Sequence, residues 1–277
     1  MEEKSRHQPW LTIRIGRSTL SFAMQASDGS VMFEPYVVKS GVSLAANLRE
    51  AFKNSQLLLT ETPRVRVLID SPVLVVPIEI FEEDQMEMLY RHAYPDSRQD
   101  AIFYNVLPDL NAVAVFSMNK DLRLVIEDHY QMVRIIAAVS PVWRHLHQRS
   151  YTGPRNKLYG YFHEKRLDVC SFKQNRFKFC NAFETGNAHD ALYFLLYVWN
   201  QLKLQSAFDE LHIVGDIPQR DWLIEELKKY VQKVYAINPA ADLSPTIAEQ
   251  GTGNGLTKVT DIKGMPYDMQ TLFVKGR

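Results

Sequence analysis

The residues best suited to chemistry follow two short apolar strands. The first segment reads Ile-Arg-Ile-Gly-Arg-Ser-Thr over 13–19 and places the fixed cation of Arg14 two residues before a glycine. The second, over 211–218, places Gly215 and Asp216 directly after an apolar run. A guanidinium donates several hydrogen bonds to phosphate oxygens, so Arg14 could contact a phosphate directly. Its structural alternative is an outward-facing strand residue in a salt bridge.

The histidines do not have the spacing of a metal site. His145 and His147 lie two residues apart on a predicted helix, so their side chains point about 200° apart and cannot share one ion. No Cys-x-x-Cys pair exists, because Cys170 and Cys180 are the chain's two cysteines. We therefore expect no metal site.

Cys170 and Cys180 flank a predicted hairpin. A two-residue turn at 174–175 would place their side chains on opposite faces of the sheet, because successive residues of a strand alternate faces. A three-residue turn would make them cross-strand partners. Since chains inside the cell rarely keep a disulfide, we expect two buried free thiols.

The composition excludes several classes of protein. Of the 277 residues, 32 are Lys or Arg and 32 are Asp or Glu, so the formal net charge is zero. A neutral chain lacks the basic surface of a nucleic-acid binder or of a polybasic membrane-surface protein. The longest apolar run, 191–199, is far shorter than the ~20 residues of a membrane-spanning helix. The N-terminal segment lacks the apolar core of a secretory signal, so we expect a cytoplasmic protein.

Hydrophobic periodicity predicts the same order of elements twice. Three strands, a helix and a further strand open the chain at 11–15, 20–24, 31–38, 44–52 and 64–70. The second half repeats this order at 158–162, 167–172, 177–183, a helix after Asn187, and 211–215. A helix over 218–230 and a strand over 231–237 follow. Repetition at this length indicates an internal duplication.

A segment with no counterpart in the second half interrupts the first half. A strand over 73–80, a helix from 82, strands over 101–107 and 112–118 and a helix after Asn119 occupy about 72–130. Because Tyr-Thr-Gly-Pro at 151–154 breaks the pattern, we place the first domain at 1–152 and the second at 153–277. Near the C-terminus we expect a last strand around 273–274, and at 251–255 a flexible surface loop.

These segments, in this order, resemble the actin-like ATPase superfamily over roughly residues 10–240. Segment 13–19 stands where the superfamily has its first phosphate hairpin, and 211–218 is similar to the strand and Gly-Gly turn that contact adenosine. The insertion is similar to a subdomain of type IV pilus assembly members. The whole chain looks like an uncharacterised family of Bacteroides-type proteins with an actin-like ATPase fold. The resemblance implies an α/β fold: a duplicated, ribonuclease H-like, two-domain actin-like fold with a small α+β subdomain inserted in the first half.

The chain departs from this family at the positions that carry phosphate chemistry. Active members place an Asp in each hairpin, because Mg²⁺ takes oxygen ligands and the attacking water must be oriented. In this chain the two Asp positions are occupied by Arg14 and, approximately, Tyr161. The family's glycine in the second hairpin corresponds to about His163, and the second glycine of its Gly-Gly turn corresponds to Asp216. We therefore expect no ATP hydrolysis, while ATP or ADP binding without turnover stays open. The candidate degenerate nucleotide cleft comprises Arg14, Gly16, Arg17, Ser18, Thr19, Tyr161, His163, Gly215 and Asp216.

Three functions are compatible with these patterns. The first is a non-catalytic actin-like scaffold with a protein partner and neither nucleic-acid binding nor membrane insertion. The second is a nucleotide-binding ATPase or small-molecule kinase with atypical residues, for which Asp70, Asp168 and Asp216 are the candidate carboxylates. The third is an adaptor for a membrane complex, as the pilus-assembly relatives are.

The helix of the insertion offers a candidate partner surface. Met86, Leu89, Tyr90 and Ala93 form its expected inward stripe, which leaves Met88 and His92 as exposed contacts. Methionine is enriched at the cores of protein interfaces. The alternative is that the insertion only covers the edge of the first sheet.

Overall fold

The structure is a computed structural model that describes residues 10–26, 30–243 and 259–273. The chain forms two compact units. The first unit comprises Met1–Val106, Val113–Pro141 and Leu243–Arg277, and the second comprises Leu107–Ala112 and Val142–Asp242. The sequence-based division places one boundary at residue 152, whereas each of these units consists of more than one segment of the chain. The loop expected at 251–255 lies outside the described residues.

The first unit contains a five-stranded sheet in the order β3-β2-β1-β4-β8. Its elements are β1 (Leu11–Ile15), β2 (Leu20–Gln25), β3 (Val31–Tyr36), α1 (Leu44–Asn54), β4 (Arg64–Ile69) and β8 (Met132–Ala137). The first strand is antiparallel to β2, with Ile13 opposite Phe22, and parallel to β4, with Ile13 opposite Val67. Helix α1 begins where the Ser43 side chain accepts a hydrogen bond from the Ala46 amide.

The insertion lies between β4 and β8 in the sequence and forms a separate three-stranded sheet. Strands β4 and β8 are themselves neighbours in the main sheet. It contains β5 (Val73–Pro77), α2 (Met86–Ala93), β6 (Ala101–Leu107) and β7 (Ala112–Met118), in the sheet order β5-β7-β6. Tyr90 is fully buried and packs with Val113 and Val115 in the core of the insertion. Helix α3 (Lys120–Glu127) follows Asn119, as predicted, and the Asn119 side chain accepts two backbone hydrogen bonds from its first turn.

The second unit contains a five-stranded sheet in the order β11-β10-β9-β12-β13. Its elements are α4 (Val139–Ser150), which belongs to this unit from Val142 onwards, β9 (Lys157–His163), β10 (Arg166–Lys173), β11 (Arg176–Glu184), α5 (Ala188–Gln201), β12 (Glu210–Gly215), α6 (Arg220–Lys228), β13 (Val234–Ala236) and α7 (Pro239–Asp242). The first three strands of each unit occupy the same positions in their sheets, which confirms the predicted duplication. No helix of the described ranges is long and apolar enough to cross a bilayer.

The prediction of a strand at 273–274 is wrong at Phe273, because this residue is the last of helix α8 (Tyr267–Phe273). Val274 lies outside the described residues. Met265, Met269 and Phe273 are spaced by four residues, which is the repeat of one helix face. All three are buried against the first sheet, where they pack with Ala23, Val31 and Leu68. The C-terminal segment therefore returns to a sheet, but it covers a face of that sheet.

The cysteine pairing expected from a two-residue turn is also wrong. Lys173 is paired with Arg176 across the turn at 174–175, so the turn has the predicted length. A bulge then shifts the register, because Phe172 is opposite Phe177 whereas Ser171 is opposite Phe179. The extra residue makes Cys170 and Cys180 direct cross-strand partners. Both thiols are free, as expected, but only Cys170 is buried, whereas Cys180 is half-buried.

Candidate functional site

The first hairpin that resembles a phosphate loop is the turn between β1 and β2. The Gly16 amide donates a 2.8 Å hydrogen bond to the Thr19 carbonyl, which closes the turn. Arg17, Ser18 and Thr19 are exposed, whereas Gly16 is buried. The turn therefore presents one exposed cation and two exposed hydroxyl groups at the carboxyl end of β1.

Arg14 points into the first unit. Its Nε lies 2.9 Å from both carboxylate oxygens of Asp268 on α8, and its Nη1 donates a 3.0 Å hydrogen bond to the Thr19 hydroxyl. Arg14 is 3% exposed and Asp268 is 1% exposed. The structural alternative, an outward-facing Arg14 in a salt bridge, is wrong about exposure because α8 covers this face of the sheet. The salt bridge itself is present.

Asp70 lies at the same edge of the first sheet as this turn. It directly follows β4, and its backbone amide donates a 2.9 Å hydrogen bond to the Ile15 carbonyl. The residue is 8% exposed. Because β1 and β4 are parallel, their carboxyl ends meet here, where open α/β sheets usually bind ligands.

The second hairpin joins β9 to β10 through a turn at Glu164 and Lys165, whose φ angles are 42° and 63°. The His163 and Tyr161 rings stack with centroids 4.5 Å apart. His163 Nε2 contacts the Asp168 carboxylate, and both residues are 6% exposed. The carboxylate of Asp168 is therefore engaged by an imidazole of its own hairpin.

Gly215 ends β12 with a φ of 96°, a conformation that side chains rarely adopt. A Cβ atom at this position would lie 2.0 Å from the Phe162 carbonyl oxygen. The same oxygen accepts a 2.9 Å hydrogen bond from the Asp216 amide. The close approach of β9 to β12 thus explains this glycine without a ligand. It also brings Tyr161, His163, Gly215 and Asp216 to one edge of the second sheet.

The residues at these positions do not fit a magnesium nucleotide. The first hairpin presents a guanidinium, which cannot be a metal ligand, where an oxygen is required. The second presents Tyr161, which is 3% exposed. No cluster of three or more His, Cys, Asp or Glu side chains suited to a metal ion occurs within the described residues.

Helix α2 exposes both residues of the candidate partner surface, Met88 at 63% and His92. The expected inward stripe is only partly correct. Tyr90 is buried and Met86 is half-buried, but Leu89 is 39% exposed and Ala93 is exposed. Of the eight residues of this helix, Tyr90 is the one that is buried.

The family described as "Protein of unknown function (DUF3822)" matches residues 1–234, which is most of the chain. The chain belongs to this family. No curated protein matches it. The matched range includes both hairpins and the insertion.

Two solved structures show the fold of this DUF3822 member. The crystal structure of a Bacteroides thetaiotaomicron protein with actin-like ATPase fold and unknown function superposes with a TM-score of 0.82 at 27% identity, covering 99% of this chain and 98% of that one. The PilM–PilN type IV pilus biogenesis complex contains a chain with a TM-score of 0.57 at 12% identity, covering 97% and 98%. The DUF3822 member therefore has an actin-like ATPase fold.

Sequence reasoning missed Asp268, the residue that determines what Arg14 can do. The four-residue spacing of Met265, Met269 and Phe273 could have predicted the helix that contains Asp268. That helix face would have marked Asp268 as a carboxylate carried into the interior beside Met269. Nothing in the sequence indicated that its partner is Arg14.

Proposed function

We propose that this DUF3822 member is a non-catalytic interaction protein that uses an actin-like ATPase fold as a scaffold. The observation that carries the proposal is the buried pair of Arg14 and Asp268. A cytoplasmic location, expected from the sequence, is part of the same proposal.

The charge of this pair opposes nucleotide hydrolysis. A guanidinium at the hairpin repels Mg²⁺ and offers it no lone pair. Asp268 supplies a carboxylate, but both of its oxygens accept hydrogen bonds from Arg14 at 2.9 Å. Freeing that carboxylate for a metal would leave a buried cation unpaired, which costs about 3–5 kcal/mol.

The second unit supports the same conclusion. Asp168 contacts His163, so its carboxylate has a partner within the hairpin. Asp216 is exposed, and its amide holds the end of β12 to β9. Binding of Mg²⁺ to the Asp168 carboxylate would therefore require this carboxylate to give up its contact with His163.

The insertion supports the interaction part of the proposal. It exposes several large apolar side chains, namely Ile78, Ile80, Met88, Leu89 and Val106. A protein partner that covered these side chains would remove apolar surface from water, which favours binding. The PilM chain that shares this fold was solved in a complex with PilN, which favours a protein partner here as well.

Phosphate release and thermal unfolding test the non-catalytic part. With ATP and Mg²⁺, purified protein should release phosphate no faster than a buffer blank. Turnover that Asp70→Asn or Asp216→Asn abolishes, while Asp221→Asn on the exposed face of α6 retains it, would establish the kinase or ATPase alternative instead. A rise in melting temperature with ADP but without hydrolysis would add nucleotide binding to a non-catalytic scaffold.

Affinity capture from a lysate of the source organism tests the partner surface. Wild-type bait should retain a protein that Met88→Glu plus His92→Glu loses, because two carboxylates desolvate poorly in an interface. The matched control is Met132→Glu plus His189→Glu, which changes the same residue types at exposed sites outside the insertion. Equal retention by both double variants would show that α2 is not the docking surface.

A further inference from the structure

Two arginines are neighbours on one face of the first sheet. Arg66 of β4 is in register with Arg134 of β8, and these two strands are parallel neighbours. Adjacent strands of a sheet lie about 4.8 Å apart, and residues in register point to the same face. Arg66 is half-buried and Arg134 is exposed, so solvent reaches both side chains. Arg66 and Arg134 thus form an arginine pair that concentrates two positive charges on a small area of the sheet.

The charges of this arginine pair repel each other. Burial lowers the pKa of Arg66, and the charge of Arg134 lowers it further. Both guanidinium groups still keep their charge near pH 7. Within the described ranges, no carboxylate forms an ion pair with either side chain. Since like charges on neighbouring strands destabilise a sheet, an anion that bound both groups would stabilise the folded protein.

Trp10 restricts the side chain of Arg66. The guanidinium carbon of Arg66 lies 5.6 Å from the centroid of the Trp10 ring, and that of Arg64 lies 5.9 Å from it. A cation at this distance is attracted to the indole ring. Because the contact already limits the rotamers of Arg66 in the free protein, less side-chain entropy is lost when an anion binds. Arg64 also adds a third positive charge beside the arginine pair.

The arginine pair is separate from the hairpin that resembles a phosphate loop. Arg66 is in register with Thr12 of β1, which precedes Gly16 by four residues. Four residues of extended strand span about 13 Å. Arg66 and Arg134 lie in the first halves of β4 and β8, whereas the turn at 16–19 follows the carboxyl end of β1. A ligand of the arginine pair would therefore not occupy the candidate nucleotide cleft.

We propose that the arginine pair binds a phosphate dianion, either inorganic phosphate or the phosphate group of a small monoester. A phosphate group carries a charge of about −1.5 to −2 at pH 7 and has three acceptor oxygens, so a single group can neutralise both arginines. A carboxylate carries one negative charge and would leave one of the two arginines without compensation. This site is additional to the proposed scaffold function and independent of it.

NMR titrations that follow the indole N–H signal of Trp10 test the proposal. The probes are inorganic phosphate, methyl phosphate and methyl sulfate at constant ionic strength, and methyl sulfate has the shape of methyl phosphate with one negative charge less. At least one of the two phosphates should shift this signal saturably with a Kd of about 1 mM, and methyl sulfate should bind about tenfold more weakly than methyl phosphate. Saturation by inorganic phosphate alone would identify the free anion as the ligand, and saturation by methyl phosphate alone would identify a monoester. Failure of both phosphates to saturate the signal, or equal affinity for the two methyl esters, would overturn the proposal.

Two arginine variants locate the binding. Arg134→Met removes one charge of the arginine pair and should weaken phosphate binding at least about tenfold. Its melting temperature without phosphate should be no lower than that of the wild type, because the repulsion with Arg66 is relieved. Arg49→Met is the matched control, since Arg49 is exposed on α1, which packs on the other face of the sheet with Val65 and Val67. Equal affinity in Arg134→Met and Arg49→Met would exclude the arginine pair as the binding site.

Discussion

The side chain of Arg14 carries a charge that Asp268 neutralises inside the first unit. The sequence marks Arg14 as a departure from the hairpin that the resemblance implies, because a cation stands where that pattern has an acid. It could not predict the burial, since the two partners are 254 residues apart in the chain. A contact between such distant residues depends on which helix covers which sheet face, and local patterns do not contain that information.

Removal of one member of this pair should destabilise the protein strongly. Asp268→Leu leaves a buried guanidinium without a counterion, and we expect a loss of about 3–5 kcal/mol in the free energy of unfolding. The double variant Arg14→Met plus Asp268→Leu replaces both charges by apolar groups and should regain most of that loss. Urea denaturation of the single and double variants measures the coupling. Additive losses would contradict the buried ion pair.

Gly215 should tolerate no side chain. The Cβ atom of Gly215→Ala would meet the Phe162 carbonyl oxygen, and its φ of 96° adds backbone strain, so we expect a loss of about 2–4 kcal/mol in the free energy of unfolding. Gly41→Ala is the control, because Gly41 has a φ of 76° with no atom within 4 Å of the added Cβ. Gly41→Ala should cost only about 1 kcal/mol. Equal losses would show that the contact with Phe162 relaxes freely.

At the scale of elements, apolar alternation predicted the strands of both sheets well. The hairpin from β10 to β11 shows its limit. Its turn at 174–175 has the predicted length, yet one extra residue in β11 changes which side chains share a face. A bulge leaves almost no mark on the apolar pattern, because its residue lies between positions that remain apolar. Helix α8 was missed for another reason, since a short helix and a short strand can have the same apolar content.

The cysteine pair of this hairpin should react slowly. Burial raises the pKa of both the Cys170 and Cys180 thiols well above the usual value, so the reactive thiolate is scarce at pH 8. We expect iodoacetamide to label both thiols at least about tenfold more slowly in the native protein than in urea. Mass spectrometry of peptides from timed samples measures each site separately. Rapid native labelling of Cys170 would contradict its burial.

For the whole molecule, the sequence predicted the duplication because each half repeats the βββαβ order. It did not predict that each compact unit consists of more than one segment of the chain. Residues 142–152 precede the predicted boundary yet belong to the second unit, and residues 259–273, which follow the second unit in the chain, belong to the first. An amphipathic helix such as α4 reveals that it has a buried face, but its sequence does not say which sheet that face covers.

Stability should depend on pH through a histidine of α4. Burial and the nearby Arg149 guanidinium lower the pKa of His145 to about 4, although its Nε2 lies 2.6 Å from an Asp242 oxygen. The unfolded chain, with a histidine pKa of about 6.5, therefore binds a proton in a pH range where the folded protein does not. Stability rises with pH wherever the unfolded state binds more protons, so it should fall as the pH drops from 6.5 towards 4. We expect His145 alone to contribute a loss of about 2 kcal/mol between pH 7 and pH 5.

Urea denaturation at pH 7, 6 and 5 measures this loss. His145→Asn cannot titrate in this range, and its amide can still donate a hydrogen bond to Asp242, so its stability should decrease less than that of the wild type. His92→Asn, at an exposed site on α2, is the matched control and should follow the wild-type curve. If His145→Asn instead loses stability in parallel with the wild type, the pKa of His145 is the same in the folded and unfolded protein, which would contradict the lowering by burial. A larger loss in His145→Asn than in the wild type would show that the contact with Asp242 outweighs burial and raises the pKa of His145 above 6.5.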